Sequence, residues 1–276
     1  MLRSMYTAAT AMTANARRFD VITNNVTNVE TKGYKADTLV TKSFRDMLIT
    51  RINDPSVYVY NNVGPHNLGV HIDYTSTSFA QGGLEETGVS TDLALDGDGF
   101  FVVEYIPMTL IPPTAEDLLD EDYTPEYEEG EPEYRYTRGG TFAVDADGYL
   151  VTPDGYFVQG QSGSIYVGST DFTVNANGEI LVDGEVEEQL RLVRFSDNQL
   201  LRKAGDNLYT VIYPDENEPE DVTIEVRQGF LENSNVDLAR EMVSMIEVQR
   251  HYEINQRVLR MLDDSLGRAV NDIARF

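Results

Sequence analysis

Two aspartate–glycine segments are the first candidates for chemistry in this sequence, because closely spaced carboxylates can bind a calcium ion. They are residues 96–99 (DGDG) and 145–148 (DADG). An EF-hand loop needs oxygen ligands at its first, third and fifth positions and a glycine at the sixth. Phe100 and Tyr149 occupy the fifth positions, where the motif requires Asp or Asn. Both segments are therefore predicted to be tight hairpin turns without a bound metal.

Other catalytic and cofactor-binding motifs are missing. The histidines His66, His71 and His251 lack the H-E-x-x-H spacing of a zinc pair. Neither the G-x-S-x-G nucleophile motif nor the G-x-x-x-x-G-K-[ST] phosphate loop occurs. We predict no catalytic residue, no cofactor and no metal, and we expect a protein that is not an enzyme. A β-rich carbohydrate hydrolase remains an alternative, and it would need a pocket with two carboxylates.

Negative charge is concentrated in the middle of the chain. The 276 residues carry a formal charge of −26 and contain no cysteine. Residues 1–52 hold 8 Lys and Arg against 4 Asp and Glu, residues 229–276 hold 6 against 8, and residues 53–228 hold 7 against 35. The acidic middle argues against nucleic-acid binding, since phosphate contacts need a basic surface. No run approaches the roughly 18 apolar residues of a membrane span.

The C-terminal segment carries side chains at a strict seven-residue spacing. One row is Leu238, Met245, Tyr252, Leu259, Leu266 and Ile273, and the row three residues further on is Glu241, Val248, Asn255, Leu262, Ala269 and Phe276. Sustained heptads indicate a coiled-coil seam on a helix of about 39 residues, roughly 58 Å long. Ser234 and Asp237 precede it in the S-x-x-D capping arrangement. An amphipathic helix packed on its own domain is the alternative.

The N-terminal segment repeats this spacing. Asn24, Asn25 and Asn28 compete with a helix by bonding to nearby backbone, and Gly33 is expected to end it. Polar and charged residues at 13–20 interrupt any apolar signal region, so we expect no cleaved signal peptide. The two terminal helices should pair with each other or with neighbouring copies. The heptad row of this segment is Met5, Met12, Phe19 and Val26, beside Leu2, Ala9, Ala16 and Thr23.

The region between the helices has the pattern of an antiparallel β domain. Asp-Gly or Asn-Gly dipeptides at 147–148, 154–155, 177–178 and 183–184 are favoured in tight hairpin turns. Residues 36–80 are predicted to be an extended connector, in which Phe44, Met47, Leu48 and Ile52 suggest a helical turn or two. Residues 104–133 hold 11 acidic residues and five prolines, which indicates a solvated loop. The predicted strands are 100–103, 149–151, 156–158, 180–182, 190–193 and 222–226.

Several segments together resemble one protein family. They are residues 1–12, 24–35, 81–88, 92–101, 136–142, 154–156, 229–237 and 245–253. In this order they are similar to bacterial flagellar rod and hook proteins, and the chain resembles the proximal and distal rod proteins more than the usually longer hook protein. The acidic insertion and residues 30–32 (ETK) depart from the family pattern. The signature residues are Asn24, Asn25, Asn28, Gly33, Asp96, Gly97, Gly99 and Phe100.

The resemblance implies a structural subunit of the flagellar basal-body rod. Family members are exported by the flagellar type III apparatus without cleavage and polymerise helically into the drive shaft between the membrane ring and the hook. The partners implied are further copies, other rod and hook proteins, and the export apparatus. A flagellar hook-type axial protein and a fibre adhesin remain alternatives. The assembly interface is predicted at Met5, Met12, Phe19, Val26, Leu238, Met245, Tyr252, Leu259, Leu262, Leu266 and Ile273.

The expected fold class is α+β, with long N- and C-terminal helices pairing as a coiled-coil-like domain around a central antiparallel all-β domain. Residues 1–35 and 230–276 are predicted to form a discontinuous helical polymerisation domain. Residues 36–80 are the connector, and residues 81–229 are the β-rich outer domain with its acidic insertion.

Overall fold

The computed structural model describes residues 2–50, 62–106, 108–110, 127–130 and 132–273. The chain divides into two compact units. The helical unit contains Met1–Val29, Lys35–Ser78 and Val236–Phe276, and the β unit contains Glu30–Tyr34 and Phe79–Asn235. The predicted boundaries are thus shifted, because residues 30–34 group with the β unit and most of the predicted connector groups with the helices.

The helical unit is built on two long helices, α1 (Leu2–Thr27) and α2 (Leu238–Ile273). They run antiparallel: Asn25, near the end of α1, donates a hydrogen bond to Glu241, in the first turn of α2, over 3.2 Å. Further along the pair, Phe19 lies beside Val248 and Tyr252. The predicted pairing of the terminal helices is confirmed.

The start of α2 differs from the predicted cap. The helix begins at Leu238, and Asp237 is itself the capping residue, because its carboxylate accepts a hydrogen bond from the backbone N–H of Arg240 over 3.2 Å. Ser234 lies before the helix, outside its first turn. Both Ser and Asp are good caps, so the sequence motif could not distinguish an Asp at the cap from an Asp one turn inside the helix.

Two strand pairs complete the helical unit, where the connector was predicted. Strand β1 (Asp37–Ser43) pairs with β4 (Val70–Thr77), and β2 (Met47–Thr50) pairs with β3 (Asn62–His66). The predicted helical turn is therefore wrong for residues 47–50, and Ile52 lies outside the described residues. A short apolar run fits a strand as well as a helix until a partner strand is known. The β1–β4 pair packs on α1, where Asn25 exchanges two 2.9 Å hydrogen bonds with the backbone of Asp37.

The β unit consists of short strands, and every pairing among its described residues is antiparallel. The largest sheet has the order β11-β12-β13-β7-β10-β19-β18, with β17 paired to β7 and β20. The strands are β5 (Leu84–Glu86), β6 (Leu93–Asp96), β7 (Phe100–Tyr105), β8 (Met108–Leu110), β9 (Tyr127–Glu129), β10 (Glu133–Thr137), β11 (Ala143–Val144), β12 (Leu150–Val151), β13 (Phe157–Val158), β14 (Phe172–Val174), β15 (Glu179–Val182), β16 (Glu185–Gln189), β17 (Leu192–Arg194), β18 (Leu201–Gly205), β19 (Leu208–Val211), β20 (Glu220–Asp221), β21 (Glu225–Gln228) and β22 (Phe230–Glu232).

The turn predictions are confirmed in most places. Asp183 and Gly184 both have positive φ (53° and 87°), as a two-residue turn between β15 and β16 requires. Residues 145–148 likewise join the paired strands β11 and β12. Residues 96–99 do not form a hairpin, because β6 pairs with β21 whereas β7 pairs with β10, β13 and β17. The predicted strand 222–226 is also interrupted, since residues 222–224 lie between β20 and β21 and Ile224 packs in the core.

The acidic insertion is partly ordered as an extension of a hairpin. Strands β7 and β10 pair up to Tyr105 and Glu133, and β8 pairs with β9 just beyond them. The prediction of a purely solvated loop is therefore wrong for residues 108–110 and 127–129. Residues 107, 111–126 and 131 lie outside the described part of the chain.

Candidate functional site

The predicted rows on α2 are the less exposed side of this helix. Val248 is buried, and Met245, Leu259, Leu262 and Leu266 are half-buried. Leu238 and Tyr252 are more exposed, and the side chain of Ile273 lies outside the described part. Because α2 contacts α1, the heptad spacing serves a contact within one chain. Its role between subunits stays a prediction.

Helix α1 has two covered sides. Met5, Met12 and Val26 of the predicted row are half-buried, whereas Phe19 is 38% exposed. A second side packs on the β1–β4 pair, where a side chain at Gly69 would collide with the hydroxyl of Thr10. The companion residues Ala9, Ala16 and Thr23 are exposed.

An open groove lies between the two helices. Its volume is about 360 Å3. Phe19 and Tyr252, both predicted as interface residues, form its walls and remain 38% and 39% exposed. Ala16 is small, so the α1 side of the groove is not filled. The complete lining is Asn15, Ala16, Phe19, Asp20, Val248, Gln249 and Tyr252.

A second apolar row on α2 was missed by the sequence analysis. Val243, Ile246, Ile254 and Met261 are 57%, 52%, 54% and 62% exposed, and we call them the outer stripe. At 100° per residue they fall within about 80° of one another on the helix surface. They lie outside the heptad rows. The sequence did contain a signal for this stripe. Three β-branched residues and a Met stand at positions where the solvated face of a helix usually carries polar side chains.

The β unit contains a fully buried ion pair. Arg138 is 3% exposed and Glu232 is 2% exposed, with Nη1 and Oε2 3.3 Å apart. Arg138 also donates to the carbonyl of Gly97 over 2.6 Å, and Glu232 accepts from the backbone N–H of Gly82 over 2.8 Å. Burial lowers the pKa of Arg138 from its ordinary value, and the charge of Glu232 opposes this shift. Arginine nevertheless keeps its charge in proteins.

Signature residues from separate segments meet around this pair, which we call the buried junction. The backbone N–H of Gly33 donates to the carbonyl of Glu232 over 2.7 Å. Gly33 has φ +71°, and a side chain there would lie 2.5 Å from the backbone of Arg138, so only glycine fits. The ring centroid of Phe100 is 5.5 Å from the guanidinium carbon of Arg138. The sequence identified each of these signature segments, but it did not show that they meet at one place in the folded chain.

The remaining signature residues have local structural roles. Asp96 forms an exposed ion pair with Arg227 over 2.6 Å, and Gly99 leaves room for the side chain of Ile224. In α1, Asn24 is exposed, and the amide of Asn28 donates to its backbone carbonyl over 2.8 Å. Asn25 belongs to the contact with Asp37 described above.

The charged segment 30–32, which departs from the family pattern, also contributes contacts. Lys32 Nζ lies 2.6 Å from Glu85 Oε2 and 2.7 Å from Asn233 Oδ1. The hydrogen bond from Lys32 is the main cause that lowers the pKa of Glu85. The contact thus joins three chain segments within the β unit.

The geometry offers little for catalysis. The junction carboxylate and guanidinium are buried against each other, so no substrate can reach them. The described residues contain no group of three or more acidic or histidine side chains placed to bind a metal ion. In the same part of the chain, neither helix is long and apolar enough to cross a membrane.

Family models match three parts of the chain. Residues 5–35 match the description "Flagella basal body rod protein", and residues 127–182 match "Flagellar hook protein FlgE/F/G D1 domain". Residues 227–272 match "Flagellar basal body rod FlgEFG protein C-terminal".

Curated relatives match over the whole length. The flagellar hook-basal body complex protein FlhO of Bacillus subtilis is 30% identical over 282 residues, covering 100% of both chains. The flagellar basal-body rod protein FlgG of Borreliella burgdorferi is 31% identical, covering 98% of each chain. FlgG of Bacillus subtilis is also 31% identical, covering 98% of this chain and 99% of its own. The chain therefore belongs to the flagellar basal-body rod FlgE/F/G family, whose members are structural components of the flagellum rather than enzymes.

Proposed function

We propose that this protein assembles helically, through its helical unit, with further copies and with other rod and hook proteins, and that the flagellar export apparatus delivers it without cleavage. The outer stripe of α2 is the observation that carries the proposal. Four large apolar side chains are more than half exposed along one helix. Exposed apolar surface grouped on one side of a helix is typical of interaction sites in soluble proteins.

Burial of this stripe would supply part of the free energy needed for association. Covering a Val, Ile or Met side chain gives about 1.5–3 kcal/mol when it is fully exposed at the start. The outer-stripe side chains are half exposed, so each would contribute roughly half of that amount. Together they would offset part of the translational and rotational cost of binding.

The predicted interface residues take a supporting role in this proposal. The heptad rows of α1 and α2, including Met12, Val26, Met245, Leu259 and Leu262, hold the two helices together within each subunit. Without that pairing, the outer stripe and the groove would not form fixed surfaces. The rows are thus required for assembly even where they touch only their own chain.

The charge distribution supports contact through the helical ends. Residues 1–52 and 229–276 carry net charges of +4 and −2, whereas residues 53–228 carry −28. Close packing of like-charged regions is opposed by repulsion. The nearly neutral helices can approach one another at a smaller electrostatic cost than the β units can.

The test places a charge in the outer stripe. Ile254→Asp should abolish polymer formation, measured by sedimentation and light scattering, and should abolish swimming when it replaces the wild-type gene. His251→Asp is the matched control, because His251 is exposed on the same helix outside the outer stripe and the groove. Circular dichroism establishes that α2 is retained in both. Normal assembly of Ile254→Asp would refute the proposal; a stable trimer would favour a fibre adhesin instead.

A further inference from the structure

We propose that the groove between α1 and α2 receives the outer stripe of a second copy of this chain. The inference rests on the proposed function and names the two surfaces that meet. It follows from the pairing of a concave apolar site with a convex one on the same helical unit.

The space of the groove is left open by the side chains that line it. Phe19 and Tyr252 stand at its walls with more than a third of their surface exposed, and Val248 is buried at its base. Ala16 leaves space where a larger residue would close the contact between the helices. A volume of about 360 Å3 exceeds that of roughly ten water molecules at 30 Å3 each. Side chains of the size of Ile and Met fit such a space.

The outer stripe points away from this groove. Met261 follows Tyr252 by nine residues, which is 2.5 turns at about 3.6 residues per turn, so the two side chains lie on opposite sides of α2. A copy that docks its stripe into a neighbour's groove therefore leaves its own groove open. This contact is heterologous, and heterologous contacts that do not close into a ring produce open helical filaments.

The groove carries an acidic residue, and the outer stripe carries a basic one. Asp20 lines the groove and is exposed, with only an exposed ion pair to Arg17 over 3.6 Å. Arg250 is exposed within the outer stripe, between Ile246 and Ile254, and Arg257 forms an exposed ion pair with Glu253 over 4.0 Å. An exposed intrachain pair contributes little, so Asp20 can exchange Arg17 for an arginine of the second copy at small cost.

The absence of cysteine from the sequence permits a direct test. Ala16→Cys is combined in one chain with cysteine at Ile246, Ile254 or Met261, and the protein is oxidised with diamide under assembly conditions. A disulfide needs Cα atoms within about 7 Å. Cysteines at positions 16 and 261 cannot form a disulfide within one chain. Met261 lies about 13 Å beyond the groove residue Tyr252 along α2, and on the opposite side of the helix. At least one pair should give a ladder of covalent multimers.

Single substitutions and one control identify the contact. In a mixture, Ala16→Cys and the reactive stripe variant should form 1:1 disulfide-linked heterodimers and no larger products. Ala9→Cys is the control, because Ala9 is exposed on α1 outside the groove. Mixed with the same stripe variant, it should give at least tenfold less heterodimer. Homodimers of a stripe variant alone, or no ladder from any pair while the protein assembles, would overturn the inference.

Filling the groove separates this inference from the proposed function. Ala16→Phe should raise the concentration needed for assembly at least tenfold, whereas Ala9→Phe should leave it unchanged. If Ala16→Phe assembles as the wild type does while Ile254→Asp does not, the docking site is wrong and the proposed function stands. If Ile254→Asp also assembles normally, both are wrong.

Discussion

Removing the charge of Glu232 should destabilise the β unit strongly. In Glu232→Gln the cation of Arg138 remains buried, with the carbonyl of Gly97 as its hydrogen-bond acceptor but without a carboxylate. Gln keeps nearly the same volume and retains an acceptor for the N–H of Gly82. The change therefore isolates the loss of one negative charge from a loss of packing.

The expected cost is about 3–5 kcal/mol, the usual result of leaving one member of a buried ion pair unpaired. The distance between the charged groups is consistent with this size. Two unit charges 3.3 Å apart attract by about 5 kcal/mol at an effective dielectric constant of 20. With a urea m-value of about 3 kcal/mol/M, the unfolding midpoint should fall by roughly 1–1.7 M.

Equilibrium unfolding in urea, followed by tyrosine fluorescence and far-ultraviolet circular dichroism, measures this change; the chain has 16 Tyr and no Trp. Glu85→Gln is the control, because Glu85 also pairs with a cation, Lys32, but on the surface. Solvent screens that pair, so a small change in midpoint is expected. The helical unit gives an internal reference in the circular dichroism signal.

A double substitution gives the stricter test. Arg138→Met combined with Glu232→Gln removes both charges, so it should cost clearly less than the sum of the two single changes. Additive costs, or a shift for Glu232→Gln no larger than that for Glu85→Gln, would show that the pair does not act as a coupled buried unit.

Three further changes have defined outcomes. Asp237→Ala removes the cap of α2 and should lower the stability of the helical unit by about 1 kcal/mol in thermal unfolding; an unchanged transition would contradict the cap. Burial and a hydrogen bond to Asp206 raise the pKa of Tyr156 to about 12, so its stabilising contribution should be lost as pH rises from 10 toward 12. Tyr156→Phe should abolish that loss. Because the chain has 16 Tyr, the phenolate absorbance of Tyr156 is measured as the difference between the wild type and Tyr156→Phe, and a difference titration with its midpoint near pH 10 would refute the shift. Replacement of residues 106–132 by Asn-Gly removes nine acidic residues and joins the paired residues Tyr105 and Glu133. Assembly of this variant should depend less on salt between about 0.01 and 0.1 M, where the Debye length falls from 30 to 10 Å; an equal salt dependence would exclude repulsion by the insertion.

Sequence reasoning succeeded where the determining interactions are local. The row of α2 repeats over five heptad intervals, or about ten helical turns, so any partner on that side produces the same spacing. The pairing with α1 was predicted correctly. The Asp183-Gly184 turn was also predictable, because its two positive φ values depend on those two residues alone. The β2 strand was not, since its pairing with Asn62–His66 involves a segment more than ten residues away.

The buried junction could not be predicted from residue types. Arg138 and Glu232 are separated by 94 residues, and each resembles many charged residues of this acidic chain until burial distinguishes it. The outer stripe was missed for a different reason. Its residues are scattered at spacings of three, eight and seven, and the stronger heptad signal of the same helix assigned them to the solvated side.

These two features also differ in how much they restrict the sequence. At the junction, Gly33 must lack a side chain and Glu232 must place two oxygens and a backbone carbonyl on three separate donors, so few residue types fit each position. At the outer stripe, any apolar side chain of similar size can cover a neighbour's surface. A sequence signature therefore indicates the junction, whose contacts join separate segments of the β unit, more readily than it indicates the proposed docking surface. The docking surface has to be read from exposure instead, which is why the structure, and not the motif, leads to the groove and the outer stripe.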